Sequence, residues 1–241
     1  MVGVSCLKHR SEYGSTLVHI NSRWLGTDCP QCETEETRRE QHIFSQNHRQ
    51  SVAMHGLREA GIPRRFIGKN FDSFTVVNQQ AGKNLEICTR YASNFGRVYS
   101  NGICLVLCGS PGTGKTHLAC AIGNQLVESG KTVLFTGCIQ AISKVKETWR
   151  AGSQDTEREV IERYVALDLL ILDEVGVQFG SEAEKIILFQ IINRRYEEVK
   201  PTIIIANLTK DELAGYLGER VVDRLGENGG PVLAFDWASY R

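Results

Sequence analysis

From residue 71 onward the chain alternates two hydrophobic rhythms. Five short apolar runs, "ICLVLCG", "KTVLFTG", "LDLLILDE", "PTIIIAN" and "PVLAFDW", carry no polar alternation. Between them, apolar residues recur at helical spacing in "AGKNLEICTRYASNF", "THLACAIGNQLVESG", "IQAISKVKETWRAG", "EAEKIILFQIINRRYEEV" and "KDELAGYLGERVVDRLG". A strand that is apolar on both sides is buried on both sides. Helices between such strands serve as crossovers, so the pattern predicts an α/β domain with a parallel sheet between helix layers. Gly130 reads as the C-terminal cap of the second of these helices. Residues 35–60 differ: they are polar, nearly Pro-free, and place Glu35 and Arg39 at helical spacing. They predict an exposed helical linker or a partner-binding helix. In "IPRRFIGKNFDSF", Pro, Gly and Asn mark irregular structure, and three phenylalanines pin a loop to the domain. The expected organisation is residues 1–34, a linker at 35–60, and the α/β domain at 61–241. There is no internal repeat.

A length of 241 residues suffices for one such domain and a small appendage. The 28 basic and 28 acidic side chains balance, so no overall field draws the chain to DNA or to a membrane. Nucleic-acid contact then requires a local patch, and "KVKETWR", Lys144 to Arg150, is basic with an aromatic residue. No apolar run has the length of a membrane span. Basic residues interrupt "MVGVSCLKHR" at once, unlike a signal peptide, and the expectation is a soluble cytoplasmic protein without a membrane partner.

In a reducing compartment eight cysteines call for something other than disulfides. "CLKH" supplies Cys6 and His9, and "CPQC" supplies Cys29 and Cys32. Two-residue spacing lets both side chains of a pair converge on one ion, and two such knuckles complete a tetrahedral Zn2+ site. Between them "STLVHINSRW" reads as hairpin-like. The expectation is a small zinc ribbon whose four protein ligands close it to catalysis. The competing reading, a redox CxxC, lacks a surrounding βαβ pattern. His19 is a spare surface histidine. Cys88, Cys104, Cys108, Cys120 and Cys138 show no ligand spacing and read as small core residues.

"GSPGTGKT" fits G-x4-G-K-[ST] after a strand and before a helix. Gly109, Ser110, Pro111, Gly112, Thr113 and Gly114 form a loop whose backbone N–H groups turn toward phosphate oxygens, and the helix N-terminus adds partial positive charge. Lys115 reaches the β- and γ-phosphates of ATP, Thr116 gives a hydroxyl to Mg2+, and His117 follows at the same site. At the end of "LDLLILDE", Asp173 holds the Mg2+ shell and Glu174 serves as general base toward the attacking water. Asn207, ending "PTIIIAN", is placed to contact the γ-phosphate or to position that water. In "GERVVDRL", Arg220 and Arg224 are four apart, hence on one helix face, with no obvious anion to meet.

"GSPGTGKTHLACAI", "LLILDEVG", "IIIAN", "GERVVDR" and "FDWASYR" together resemble the AAA+ ATPases of the DnaC-type helicase loaders, with the IstB-type transposon helper ATPases as near relatives. The resemblance spans about residues 60–241. It implies a P-loop core with a five-stranded parallel sheet, in which the Asn207 strand lies between the phosphate-loop strand and the Asp173 strand. It also implies self-association into an AAA+ oligomer that hydrolyses ATP at subunit interfaces, with an arginine finger acting in trans. Arg224 is the choice for that finger, and Arg220 is the alternate or a companion at the interface. Arg241 resembles the arginine that completes the nucleotide pocket. The chain departs from the full AAA+ plan, since nothing after Arg241 forms a helical lid.

Three functions follow for testing. The first is an ATP-dependent loader of a hexameric replicative helicase onto single-stranded DNA, phage- or prophage-like in its N-terminus, with residues 1 to about 60 gripping the helicase. The second is a transposase helper acting on duplex DNA, which the neutral charge disfavours because counterion release needs many phosphate contacts. The third is an adaptor whose ATP state switches partner binding.

Overall fold

The structure, a computed structural model, describes residues 2–20, 23–26, 29–36, 38–39, 57, 59–176 and 181–239. Arg241 and most of the linker predicted at 35–60 lie outside the described residues. Contacts divide the chain into two units, Met1–Met54 and His55–Arg241.

In the first unit β1 (Val2–Ser5) pairs antiparallel with β2 (Glu12–Ser15), and β3 (Leu17–Ile20) with β4 (Arg23–Gly26). The second pair is the hairpin expected between the two Cys/His knuckles. Residues 30–36 are helical and begin directly after Cys29.

The second unit follows the alternation read from the sequence. In chain order it contains α1 (Gln79–Ser93), α2 (Phe95–Ser100), β5 (Leu105–Gly109), α3 (Lys115–Glu128), β6 (Val133–Gly137) and α4 (Cys138–Glu147). Then come α5 (Glu157–Ala166), β7 (Leu169–Val175), α6 (Glu182–Glu197), β8 (Thr202–Ala206), α7 (Lys210–Leu217), α8 (Glu219–Gly226) and β9 (Val232–Phe235). The strands form one parallel sheet in the order β6-β7-β8-β5-β9. The Asn207 strand β8 therefore lies between β5 and β7, as the resemblance implies.

Alternate residues of the buried strands serve two cores. Leu105, Leu107, Leu169, Ile171, Ile203, Ile205, Leu233 and Phe235 pack with α1–α3. Val106, Cys108, Leu170, Leu172, Ile204 and Ala206 pack with α4–α8. Cys88, Cys104, Cys108, Cys120 and Cys138 are all buried in these layers, as expected.

Three local readings change. The stretch read as one helix after Asn207 is two, α7 and α8, broken at Gly218, whose φ of 86° and ψ of 142° suit only glycine. The helix expected through Trp149 and Arg150 ends at Glu147. Helix α5 was not expected, although Thr156 and Glu159 form a capping box at its start and Val160, Ile161, Tyr164 and Val165 are its buried face.

One buried charge ties these layers together. The Arg195 guanidinium is fully buried and donates to the Thr202 hydroxyl (3.0 Å) and to the carbonyls of Tyr164, Leu167 and Pro201. It thus staples α5, α6 and β8, and burial lowers its pKa to about 10. Among the described residues no helix is long and apolar enough to cross a membrane.

Candidate functional site

Strand β5 delivers the chain into the glycine loop, and α3 takes it out. Gly109 and Gly112 have φ of 119° and 76°. A Cβ on Gly109 would lie 2.6 Å from the Phe235 carbonyl oxygen, and one on Gly112 would lie 2.1 Å from the Ser239 hydroxyl oxygen. The loop is therefore confined by the segment around β9 as well as by its own turns. The Ser110 N–H donates to Phe235 O at 2.9 Å, and the Thr113 hydroxyl donates to Ser110 O at 2.7 Å. Gly114, at φ 97°, is the N-cap of α3, so the free N–H groups of the first helical turn open into the loop.

Lys115 is buried, and its Nζ donates to the carbonyls of Gly109 (2.8 Å) and Ser110 (2.6 Å). The Thr116 hydroxyl donates to Asp173 Oδ2 at 3.1 Å, bringing the two predicted Mg2+ ligands together. Burial raises the Asp173 pKa, against the pull of the Glu174 N–H, which donates to Asp173 Oδ1 at 2.7 Å, and of Thr116. Ladder pairing is irregular between Leu172 and Val175, and Glu174 takes the left-handed φ of 59°. Such kinks re-aim a side chain at a strand end. A regular strand would send Asp173 and Glu174 to opposite faces, whereas here both line one cavity.

These groups line a cavity of about 320 Å³ together with Pro111, His117 and Asn207. Arg65, Phe66 and Lys69 line it too and were missed in the sequence, where they fall in an irregular segment with no motif. Their loop is held by a buried asparagine: Asn124 Nδ2 donates to the carbonyls of Phe66 (2.9 Å) and Lys69 (2.7 Å). His117 braces the same loop, with Nε2 at 3.1 Å from both Asn70 O and Ser73 Oγ and its ring edge-on to Phe74. The cavity thus offers oriented N–H donors and an ammonium for a polyphosphate. It also offers a hydroxyl–carboxylate pair, the hard oxygen donors that Mg2+ prefers.

Arg220 and Arg224 do not line this cavity. Both are on α8, beside a separate shallow hollow with Tyr196, Glu219, Asp223 and Glu227. Arg224 Nη1 donates to Asn193 Oδ1, and its guanidinium carbon stands 4.9 Å from the Tyr196 ring centre. Arg220 is exposed. In the basic stretch, Lys144 pairs with Glu147 (2.9 Å) and Lys146 with Glu184 (2.8 Å); Trp149 and Arg150 are exposed, with the Trp149 Nε1–H donating to Glu157 Oε2 at 2.8 Å.

In the first unit the ligand atoms of Cys6, His9, Cys29 and Cys32 all lie within 4.8 Å of one another. A tetrahedral Zn2+ with three sulfurs and one nitrogen separates its ligand atoms by about 3.5–3.8 Å. Cys6 and Cys32 sulfurs are 3.7 Å apart, and His9 Nδ1 is 3.6, 3.9 and 3.4 Å from Cys6, Cys29 and Cys32. The four therefore fit one zinc ion. The His9 backbone N–H, at 3.4 Å, lowers the Cys6 thiol to about 6, while burial raises Cys32 to about 11. Glu35 was read only as half of a helical charge pair. It accepts from His9 Nε2 at 3.0 Å, the orientation that leaves Nδ1 for a metal.

A family profile described as "IstB-like ATP binding protein" matches residues 40–225, so the Cys/His cluster lies outside the match. The chain is 36% identical over 185 residues to the replicative helicase loader DnaC of Buchnera aphidicola subsp. Acyrthosiphon pisum, covering 77% of this chain and 74% of the relative. The crystal structure of the DnaC helicase loader superposes with a TM-score of 0.64 at 26% identity, over 72% of this chain and all of that one. The replication initiator DnaA bound to AMPPCP and single-stranded DNA matches with a TM-score of 0.60 at 26% identity, over 73% of this chain and 51% of that one.

Proposed function

This chain belongs to the family of IstB-like ATP binding proteins, and on that premise we propose that it loads a replicative DNA helicase onto single-stranded DNA, using ATP hydrolysed between its own copies. One observation carries the reading. Lys115, Thr116, Asp173, Glu174 and Asn207 converge on one cavity in a chain that is 36% identical to relatives named replicative helicase loader.

The division of labour follows from position. The loop N–H groups and Lys115 grip the β- and γ-phosphates, and Thr116 with Asp173 holds Mg2+. When bound, that ion neutralises charge on the transferring oxygens. Glu174, brought to the same cavity at the kinked strand end, accepts the proton of the attacking water, and Asn207 orients that water. Arg65, Phe66 and Lys69 close the other side. Arg224 serves the pocket of a neighbouring copy, in keeping with its place outside its own cavity. The Cys6, His9, Cys29 and Cys32 centre holds a structural Zn2+ and gives residues 1–54, which are too few for a large core, a rigid surface for the helicase. The DnaA likeness supports a single-stranded DNA ligand for the ATP-bound core, and Trp149 and Arg150 supply a stacking and a charged group for it.

The test combines this protein, a hexameric replicative helicase, ATP and closed circular single-stranded DNA. The expected result is co-elution of the two proteins on gel filtration and ATP-dependent transfer of the helicase to the circle, which Lys115→Ala abolishes. A protein that ignores the helicase and coats duplex DNA with ATP would establish the transposase-helper reading instead.

A further inference from the structure

Arg220 and Arg224 occupy one helix, yet their surroundings differ. Arg220 is exposed and without a hydrogen bond or ion pair among the described residues. Arg224 is half-buried and held on two sides by α6. Its Nη1 donates to Asn193 Oδ1, and its guanidinium lies over the Tyr196 ring, 4.9 Å from the centre. Both holders are themselves held. Asn193 Nδ2 donates to Glu197 Oε1 at 2.8 Å, and this turns the amide oxygen toward Arg224. Glu197 is in turn bound by Arg194 at 3.1 Å. The Tyr196 phenol faces the Glu227 carboxylate, which raises its pKa.

We propose that Asn193 and Tyr196 form a clamp that positions Arg224 as the trans-acting arginine, making α6 part of the active site of the neighbouring copy. The inference rests on the trans-arginine reading above. An arginine has several rotatable bonds, and ordering it at the moment of reaction costs entropy. A side chain already stacked on one face and hydrogen-bonded at one nitrogen has lost most of that freedom. Its other guanidinium nitrogens make no hydrogen bond among the described residues, and the side chain lines an open hollow, which leaves them for a γ-phosphate. The amide oxygen is a neutral acceptor, so it orients the cation without cancelling its charge. The clamp also distinguishes the two arginines: Arg224 is prepared for one geometry and Arg220 for none.

The test is complementation in trans with the full-length chain, reading phosphate release and the affinity for a non-hydrolysable ATP analogue. Asn193→Ala and Tyr196→Leu should each lower turnover about 3- to 10-fold with analogue affinity unchanged. Tyr196→Phe, which keeps the ring, should lose less than Tyr196→Leu. Mixed with Lys115→Ala, whose finger and clamp are intact, the Asn193→Ala chain should regain turnover. Mixed with the Lys115→Ala, Arg224→Ala double variant, it should not. Loss in Asn193→Ala and Tyr196→Leu with no rescue by Lys115→Ala would overturn the clamp, because the defect then lies in the chain's own pocket or fold. Wild-type turnover in both clamp variants would overturn it as well, while leaving the trans arginine standing if Arg224→Ala is inactive. Full turnover in Arg224→Ala would overturn the underlying reading itself.

Discussion

Lys115 and Glu174 are constrained by different things, so their loss should fail differently. The ammonium of Lys115 is placed by two loop carbonyls at the mouth of a helix N-terminus, where charge on a bound phosphate is greatest. Glu174 is placed by a kink that leaves the Thr116–Asp173 hydrogen bond in place. Lys115→Ala should abolish nucleotide binding and, with it, turnover. Glu174→Gln should bind ATP normally and lower turnover by about 10^2–10^4, the range of general-base contributions. Equilibrium binding of a fluorescent nucleotide alongside phosphate release separates the two. The residues of this site that were legible in the sequence are those whose chemistry depends on neighbours in the chain: the glycine loop with Lys115 and Thr116, and the acidic pair ending an apolar strand. Arg65, Phe66 and Lys69 were not, because Asn124, more than fifty residues away, decides where their loop lies. Arg194 and Arg195 look alike in sequence. Only the helix register places one among exposed carboxylates and the other at full burial.

Helices α5, α6 and α7 each open on a capping box, Thr156 with Glu159, Ser181 with Glu184, and Thr209 with Glu212. Each hydroxyl satisfies a free N–H of the first turn while the glutamate returns to the cap. Thr209→Ala should therefore cost about 1 kcal/mol and lower Tm by about 2–4 °C in a thermal melt. The three carboxyls are held below the ordinary value of 4.5, Glu159 and Glu212 by the threonine backbone N–H first and Glu184 by Lys146 first. A depressed folded pKa stabilises fully above the unfolded value and is lost as pH falls through the folded one. Tm should thus decline below about pH 4.5, and less steeply in Glu212→Gln, which has no proton to gain there. At this scale the strands were legible because they are apolar on both faces. The break at Gly218 was not, since a helical apolar rhythm continues across it. Helix α5 carried a cap and only two turns of apolar spacing, at Val160, Ile161, Tyr164 and Val165, in a largely polar stretch.

At the scale of the molecule, the Cys6, His9, Cys29 and Cys32 cluster lies in one unit and the glycine-loop cavity in the other. Fresh protein should carry about one Zn2+ per chain, and Cys29→Ser should lose it. The same variant should lose helicase binding on gel filtration and keep its affinity for ATP. Metal analysis, co-elution and nucleotide titration on one preparation check all three, and equal loss of ATP affinity would show that the units are not independent. The clustering of the four Cys/His side chains was legible from their two-residue spacings, whereas the Glu35 partner of His9 lies 26 residues along the chain and carried no such mark.

The phosphate loop follows residue 109, yet the strand beside it, β9, ends at Phe235, and Ser239 lies against Gly112. A ribosome therefore makes the loop long before it makes the wall that shapes it. Until β8 is made β5 has neither of its sheet neighbours, and until β9 is made it is an apolar sheet edge, the kind of surface that invites pairing with another chain. Nucleotide affinity should arise only once β9 has been made and docks beside β5. In a growing chain, the ability to hold ATP would report that translation has passed Ser239, and a chain cut short before β9 would carry the whole glycine motif and no working grip.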